Sequence, residues 1–113
     1  MLALVIGVTA VAGVATRALA LDSVTGEVVD LACYMHDDKF KGPSHRKCAE
    51  TCAKKGIPMG ILTDDNQLFL LLENHDNPKA YADAKAKAAE KITVEGTKVT
   101  KGGIQGIIAE AVK

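Results

Sequence analysis

The sequence predicts a small, mainly β domain: a five-stranded barrel with two helices, one of them inserted between the first two strands. Short segments rich in Val, Ile and Leu recur along residues 21–113, separated by Gly, Pro, Asn and Asp. One alanine-rich segment follows an Asn-Pro pair, which is typical of a helix start. A second helical segment carries two cysteines and falls between the first two strand patterns.

The first three strands are predicted in the first half of this domain. Residues 23–32 contain β-formers around Gly26, and a glycine inside a strand indicates a bulge or bend. Residues 58–63 and 67–73 are apolar. The Asp-Asp-Asn sequence at 64–66 predicts a tight turn, so these two segments should form a hairpin.

The inserted helix is predicted after the polar loop 37–43, which ends in Gly-Pro. Ser44 is a suitable N-cap residue for this helix, and Gly56 stands where the helix should end.

The second helix and the closing hairpin are predicted in the last third of the chain. Asn77 is the expected N-cap and Pro78 the first helical residue, and the alanine-rich pattern continues to about Glu90. Residues 91–100 and 104–112 are strand-like, and the Lys-Gly-Gly sequence between them predicts a turn.

Without the inserted helix, the element order is that of the OB-fold, a partly open Greek-key barrel. A ferredoxin-like sandwich is the alternative, since strands and helices alternate. The closing hairpin has no helix between its strands, which favours the barrel. Residues 91–108 are also similar to the last two strands of many small exported OB-like proteins.

Two motifs stand out: a Gly-x-Val-Val-Asp-x-x-Cys-Tyr start, from Gly26 to Tyr34, and a His-x-x-Cys-x-x-x-Cys helix, from His45 to Cys52. With these motifs the chain resembles a group of poorly characterised bacterial exported domains with an OB-like fold. The resemblance covers most of residues 21–113 and implies the fold and export, without an activity.

Residues 1–20 predict a secretory signal peptide, because they are apolar and end in Ala-Leu-Ala. No basic residue precedes the apolar run, and Arg17 lies late in it. A retained membrane anchor is therefore the alternative, although residues 2–16 are short for a span of about 20 residues. We expect a domain of residues 21–113 in the periplasm, either free or anchored by the leader.

Composition argues against nucleic acid as a partner. The chain has 14 basic and 14 acidic residues, no Trp and four Phe or Tyr. A basic footprint and aromatic stacking platforms are therefore both missing from the sequence.

A Cys/His cluster is the main candidate site. Cys33 precedes a His-x-x-Cys-x-x-x-Cys pattern, and helical spacing places His45, Cys48 and Cys52 at i, i+3 and i+7 on one face. These four residues are the donors of a Cys3His shell, which suits zinc. Met35 and His36 are nearby extra donors that keep copper open as the metal.

Two other readings of the cysteines stay open. Exported cysteines are usually oxidised, and a disulfide from Cys33 to the helix could add about 2–4 kcal/mol of stability. The odd count then leaves one thiol unpaired. Thiol–disulfide exchange is the third reading, but the chain has no Cys-x-x-Cys motif.

We therefore expect a non-enzymatic, exported protein that binds zinc or copper. The alternative is an accessory subunit, stapled by a disulfide or a structural metal, that docks on a larger envelope or membrane complex. The sequence specifies no oligomeric state.

Overall fold

Five strands and three α-helices make up the part of the chain that the computed structural model describes, Gly7 and residues 21–113. The predicted signal peptide at 1–20 lies outside the described residues, apart from Gly7. The elements are β1 (Asp22–Asp30), α1 (Leu31–His36), α2 (Arg46–Lys54), β2 (Met59–Leu62), β3 (Leu68–Glu73), α3 (Pro78–Lys85), β4 (Lys91–Lys101) and β5 (Ile104–Val112). A 3-10 turn, Pro43–His45, leads directly into α2.

The five strands close into a barrel in the order β1-β2-β3-β5-β4, with β4 pairing back onto β1. Only β3 and β5 pair in parallel; the other neighbours are antiparallel. This arrangement confirms the predicted mainly β, OB-fold-like barrel, and the predicted Cys/His helix lies between β1 and β2 as expected.

The barrel interior is filled by aliphatic side chains from every strand. The largest fully buried apolar side chains are those of Met59, Ile61, Ile107, Val28, Val29 and Val94. Helices α2 and α3 cover this core with small residues, since their buried positions are all alanines. Alanine side chains let a helix axis approach the sheet closely, which brings α2 and its cysteines against β1.

Two glycines are required where strands pass close to each other. A Cβ on Gly26 would lie 2.2 Å from the carbonyl oxygen of Leu62, so this glycine permits close strand approach. Of the bulge or bend predicted at Gly26, a bulge does not occur, because β1 pairs with β4 in a regular register through this residue. A register shift between β4 and β5 lies between Glu95 and Gly96. A Cβ on Gly96 would lie 1.8 Å from the carbonyl oxygen of Ile108.

The helices differ from the sequence prediction in four ways. The short helix α1 was not predicted. Helix α2 begins after the 3-10 turn, and Ser44 lies inside that turn and does not cap the helix. Helix α3 ends at Lys85 and turns follow it, so the predicted extension to Glu90 is wrong. Asn77 precedes α3 as predicted, but its side chain donates to the carbonyl of Glu110 and caps nothing.

The segment between β1 and β2, residues 31–58, forms a closed insertion on the barrel. At its base the Leu31 amide donates to the Pro58 carbonyl over 2.9 Å. Its loop is held at Gly42, whose amide donates to Glu27 Oε2 over 2.7 Å. Because both ends and the loop are held by β1 or its neighbours, the barrel fixes where the side chains of α1 and α2 lie.

Candidate metal centre

Cys33 is placed by the N-terminal cap of α1. Asp30 is the last residue of β1 and the N-cap of α1, and its Oδ1 accepts a hydrogen bond from the Cys33 amide over 2.8 Å. An aspartate at this position satisfies an amide that would otherwise lack a partner in the first turn. The strand therefore turns directly into a helix, which brings Cys33 within one turn of the barrel rim.

Cys48 and Cys52 are placed by the packing of α2. They lie four residues apart on this helix, so their side chains project from the same face. The neighbouring residues Ala49 and Ala53 are buried against the barrel. The two cysteines consequently lie along the edge of the face that contacts the barrel; Cys52 is half-buried and Cys48 is exposed.

The structure brings the three cysteines into one cluster. Their Sγ atoms all lie within 4.8 Å of one another, and all three are free thiols. Zinc–sulfur bonds of about 2.3 Å in a tetrahedral shell place sulfur atoms about 3.8 Å apart, so the cluster needs little adjustment to hold an ion. Three sulfur donors from two elements therefore fit a thiophilic metal.

His45 belongs to a second cluster. A ring nitrogen of His45, the Cys33 Sγ and a carboxylate oxygen of Asp30 lie within 4.8 Å of one another. The His45 Nε2 is 2.7 Å from Asp30 Oδ2. In the predicted i, i+3, i+7 set, His45 is therefore separated from Cys48 and Cys52. It lies in the 3-10 turn before α2 and contacts Asp30.

The Asp30 carboxyl is the best-buried polar group near the site. Its side chain is fully buried, whereas that of His45 is 10% exposed. Burial alone raises the pKa of this carboxyl, but hydrogen bonds from the Cys33 amide and thiol and from His45 outweigh it and lower the pKa below the usual range. The ionised carboxylate can only accept, so the His45 Nε2–H is the donor.

The Asp30 carboxylate has its own low pKa, but it raises the pKa of two neighbouring thiols. Hydrogen bonding to Asp30, together with burial, raises the pKa of Cys33 to about 12. Burial, followed by the negative charge of Asp30, raises the pKa of Cys52. Both thiols are protonated at neutral pH in the metal-free protein, and a bound cation would have to displace these protons.

Met35 and His36, the predicted extra donors, are exposed at the end of α1. His36 belongs to neither cluster of donor atoms. The Met35 side chain is 71% exposed and borders an apolar groove with Leu68 and Ile104. The structure thus brings together Cys33, Cys48, Cys52 and, through Asp30, His45.

Asp30 is a site residue that the sequence pattern does not predict, since it stands there only as part of the shared Val-Val-Asp start. The signal that could have identified it is its position directly before a Cys-bearing segment, where an Asp commonly caps a helix. Asp30 and His45 are fifteen residues apart in the chain, so the spacing of nearby residues does not predict their contact.

Comparison of the chain with known protein families, with curated proteins and with solved structures found no significant match. Among the residues that the structure describes, none of the helices has the length and apolar character needed to cross a bilayer.

Proposed function

We propose that this is a small exported protein that holds one zinc or copper(I) ion in a Cys3His-type site. The observation that carries the proposal is the mutual approach of Cys33, Cys48 and Cys52, whose Sγ atoms lie within 4.8 Å of one another. Thiolates are the ligands that zinc and copper(I) prefer among protein side chains. One cysteine from α1 and a pair from α2 that converge in this way supply most of a shell.

His45 is the proposed fourth ligand. In the neutral tautomer whose Nε2–H donates to Asp30, Nδ1 has a free lone pair for a metal. A ligating histidine usually donates its other ring N–H to a carboxylate or carbonyl, which fixes the tautomer and strengthens the ligand. The buried Asp30 carboxylate fills this role, which gives the Asp30–His45 contact a function in the proposed site.

The proposed function is metal binding without catalysis. Four protein ligands close a tetrahedral shell and leave no position for a substrate or an activated water. Export to the periplasm is part of the proposal and rests on the leader sequence at 1–20. N-terminal sequencing of the mature protein should begin at Leu21; a retained Met1 would favour the anchored form.

The decisive experiment is metal analysis with thiol titration on protein purified without oxygen from the exported fraction. We expect close to one ion per chain, lost in Cys48→Ser. Ser44→Ala is the matched control, because Ser44 is exposed beside α2 and contributes no ligand atom to either cluster. Protein that contains no metal, with a disulfide and one free thiol, would contradict the proposal.

A second candidate function is a non-catalytic accessory subunit of an envelope or membrane complex. The observation that favours it is an apolar groove of about 650 Å³. Met35 and Ile104 border this groove and are 71% and 64% exposed. In this case a metal or a disulfide serves only to staple the insertion.

The two candidates differ in what metal removal does. If the ion only stabilises the insertion, its removal by EDTA should unfold the insertion and lower the Tm strongly. A binding protein keeps its fold, because the barrel core is built from other residues. Met35→Lys with Ile104→Lys should abolish co-purification with a complex and leave metal content unchanged if the accessory role holds.

A further inference from the structure

Charge is distributed unevenly between the insertion and the barrel. Residues 31–58 contain six basic and three acidic residues, a net charge of +3. The remaining residues of 21–113 contain seven basic and eleven acidic residues, a net charge of −4. The chain as a whole has no net charge, but the insertion is basic and the barrel is acidic. The three cysteines of the cluster lie in the basic insertion.

Three lysines, two in α2 and one directly after it, share the solvent side of this helix with Cys48. Successive residues of an α-helix are rotated by about 100°, which places Lys47, Lys54 and Lys55 on the same half of the helix as Cys48. All four are exposed, and we call Lys47, Lys54 and Lys55 the basic face. Within the described part of the chain, none of the three lies in an ion pair, whereas Arg46 pairs with Glu90 over 3.9 Å.

Exposure identifies the accessible side of the cluster. Cys33 and Cys52 are half-buried, and Cys48 is the exposed member. Asp30 is fully buried and His45 is 10% exposed, and both lie beside Cys33. An incoming ligand therefore reaches a bound ion most directly at Cys48, which shares one half of the helix with the basic face.

We propose that the protein exchanges its metal ion through Cys48 with an acidic protein that presents soft metal ligands, and that the basic face docks this partner. The inference rests on the proposed metal-binding function and extends it from holding an ion to transferring it. Complementary charge raises the rate of encounter and fixes the orientation of partners, which suits a transient contact for exchange.

The exchange step needs no redox partner. A cysteine thiol of the partner loses its proton as its sulfur bonds to the metal. The bond between Cys48 and the metal breaks, and the Cys48 thiolate takes up a proton. The bonds to Cys52, Cys33 and His45 are then replaced in the same way, one incoming ligand for each bond that breaks, and each freed thiolate takes up a proton. The charge and oxidation state of the ion are unchanged, and the whole sequence in reverse loads the protein.

The test uses two synthetic peptides that differ only in charge. Each carries one Cys-x-x-Cys pair, flanked by glutamates in the first and by glutamines in the second. The full mature chain is loaded with the ion that it carries on purification, and transfer to each peptide is followed by native mass spectrometry. At low salt we expect about tenfold faster transfer to the acidic peptide, and high salt should remove the difference.

Charge-reversed variants make the comparison specific to the basic face. Lys47→Glu with Lys55→Glu should abolish the preference for the acidic peptide while the protein still binds one ion. Lys87→Glu with Lys101→Glu is the matched control: both lysines are exposed and lie in no described ion pair, the net charge changes equally, the positions lie outside the insertion, and the preference should be kept. Brief alkylation of the loaded protein should modify Cys48 before Cys33 and Cys52.

Equal rates for both peptides, or an equal loss in the two charge-reversed variants, would overturn the docking proposal while metal binding stands. Preferential alkylation of Cys33 or Cys52 would overturn the exchange route through Cys48. Failure of the wild-type chain to take up any ion at the loading step would instead contradict the proposed function itself, so the two failures are distinct.

Discussion

Asp30 and His45 are fifteen residues apart in the chain, and their side chains are joined by a hydrogen bond of 2.7 Å between Oδ2 and Nε2. The same carboxylate caps α1 at the Cys33 amide. One buried side chain therefore holds both Cys33 and the start of α2, the two parts of the chain that supply the cysteine cluster. Asp30 is in this sense the positioning residue of the site.

Replacing Asp30 should weaken both the fold and the site. Asp30→Ala removes the cap of α1 and leaves the His45 N–H without its partner, so we expect a loss of about 2–4 kcal/mol in the free energy of unfolding. Asp30→Asn keeps an oxygen that can cap the helix and should lose less. Urea unfolding of the metal-free proteins measures both; an Asp30→Ala variant as stable as the wild type would contradict this role.

The role of His45 as fourth ligand can be tested by cobalt(II) substitution. A Cys3His shell gives intense visible bands of a tetrahedral ion, and thiolate-to-cobalt charge transfer in the ultraviolet scales with the number of sulfur ligands. His45→Ala should shift the visible bands and leave the charge-transfer intensity unchanged, whereas Cys52→Ser should reduce that intensity by about a third. Visible bands identical in His45→Ala and the wild type would exclude His45 from the shell.

Metal affinity should increase with pH. The pKa of Cys33 is raised to about 12 and the pKa of Cys52 is raised as well, so both thiols bind protons in the metal-free protein at neutral pH. Metal binding must release these protons, and each released proton changes the affinity about tenfold per pH unit. Competition titrations between about pH 6 and about pH 8 should give a slope of at least about two in log affinity against pH. A flat profile would show that these thiols are not ligands.

The barrel should depend on Gly96 more than on Gly60. A Cβ at Gly96 would meet the backbone carbonyl oxygen of Ile108 at 1.8 Å, so Gly96→Ala forces two strands apart at the bulge. At Gly60 the nearest atom is the end of the Leu31 side chain, at 2.9 Å, which can move. We expect Gly96→Ala to cost about 2 kcal/mol or more of unfolding free energy and Gly60→Ala clearly less. Equal thermal stability of the two variants would contradict the observed strand approach.

Local patterns in the sequence were sufficient for most of the barrel. The apolar segments and the turns at 64–66 and 101–103 predicted β2 to β5 to within a few residues, because apolar runs and turn residues are local signals. The boundaries of α2 and α3 were less well predicted. Capping there depends on contacts from outside the helix, such as that between Asn77 and the carbonyl of Glu110.

For the site, the sequence by itself determined which donors are present and that Cys48 and Cys52 share a helix face. Their spacing of four residues is a local property of the helix. Only the tertiary structure decided that Cys33 joins them, that His45 turns to Asp30, and that Asp30 belongs to the site. The physical reason is that burial and hydrogen bonding in the insertion depend on two long-range features, the closure of the barrel and the packing of α2 against β1. Patterns of residues close together in the chain do not predict either feature.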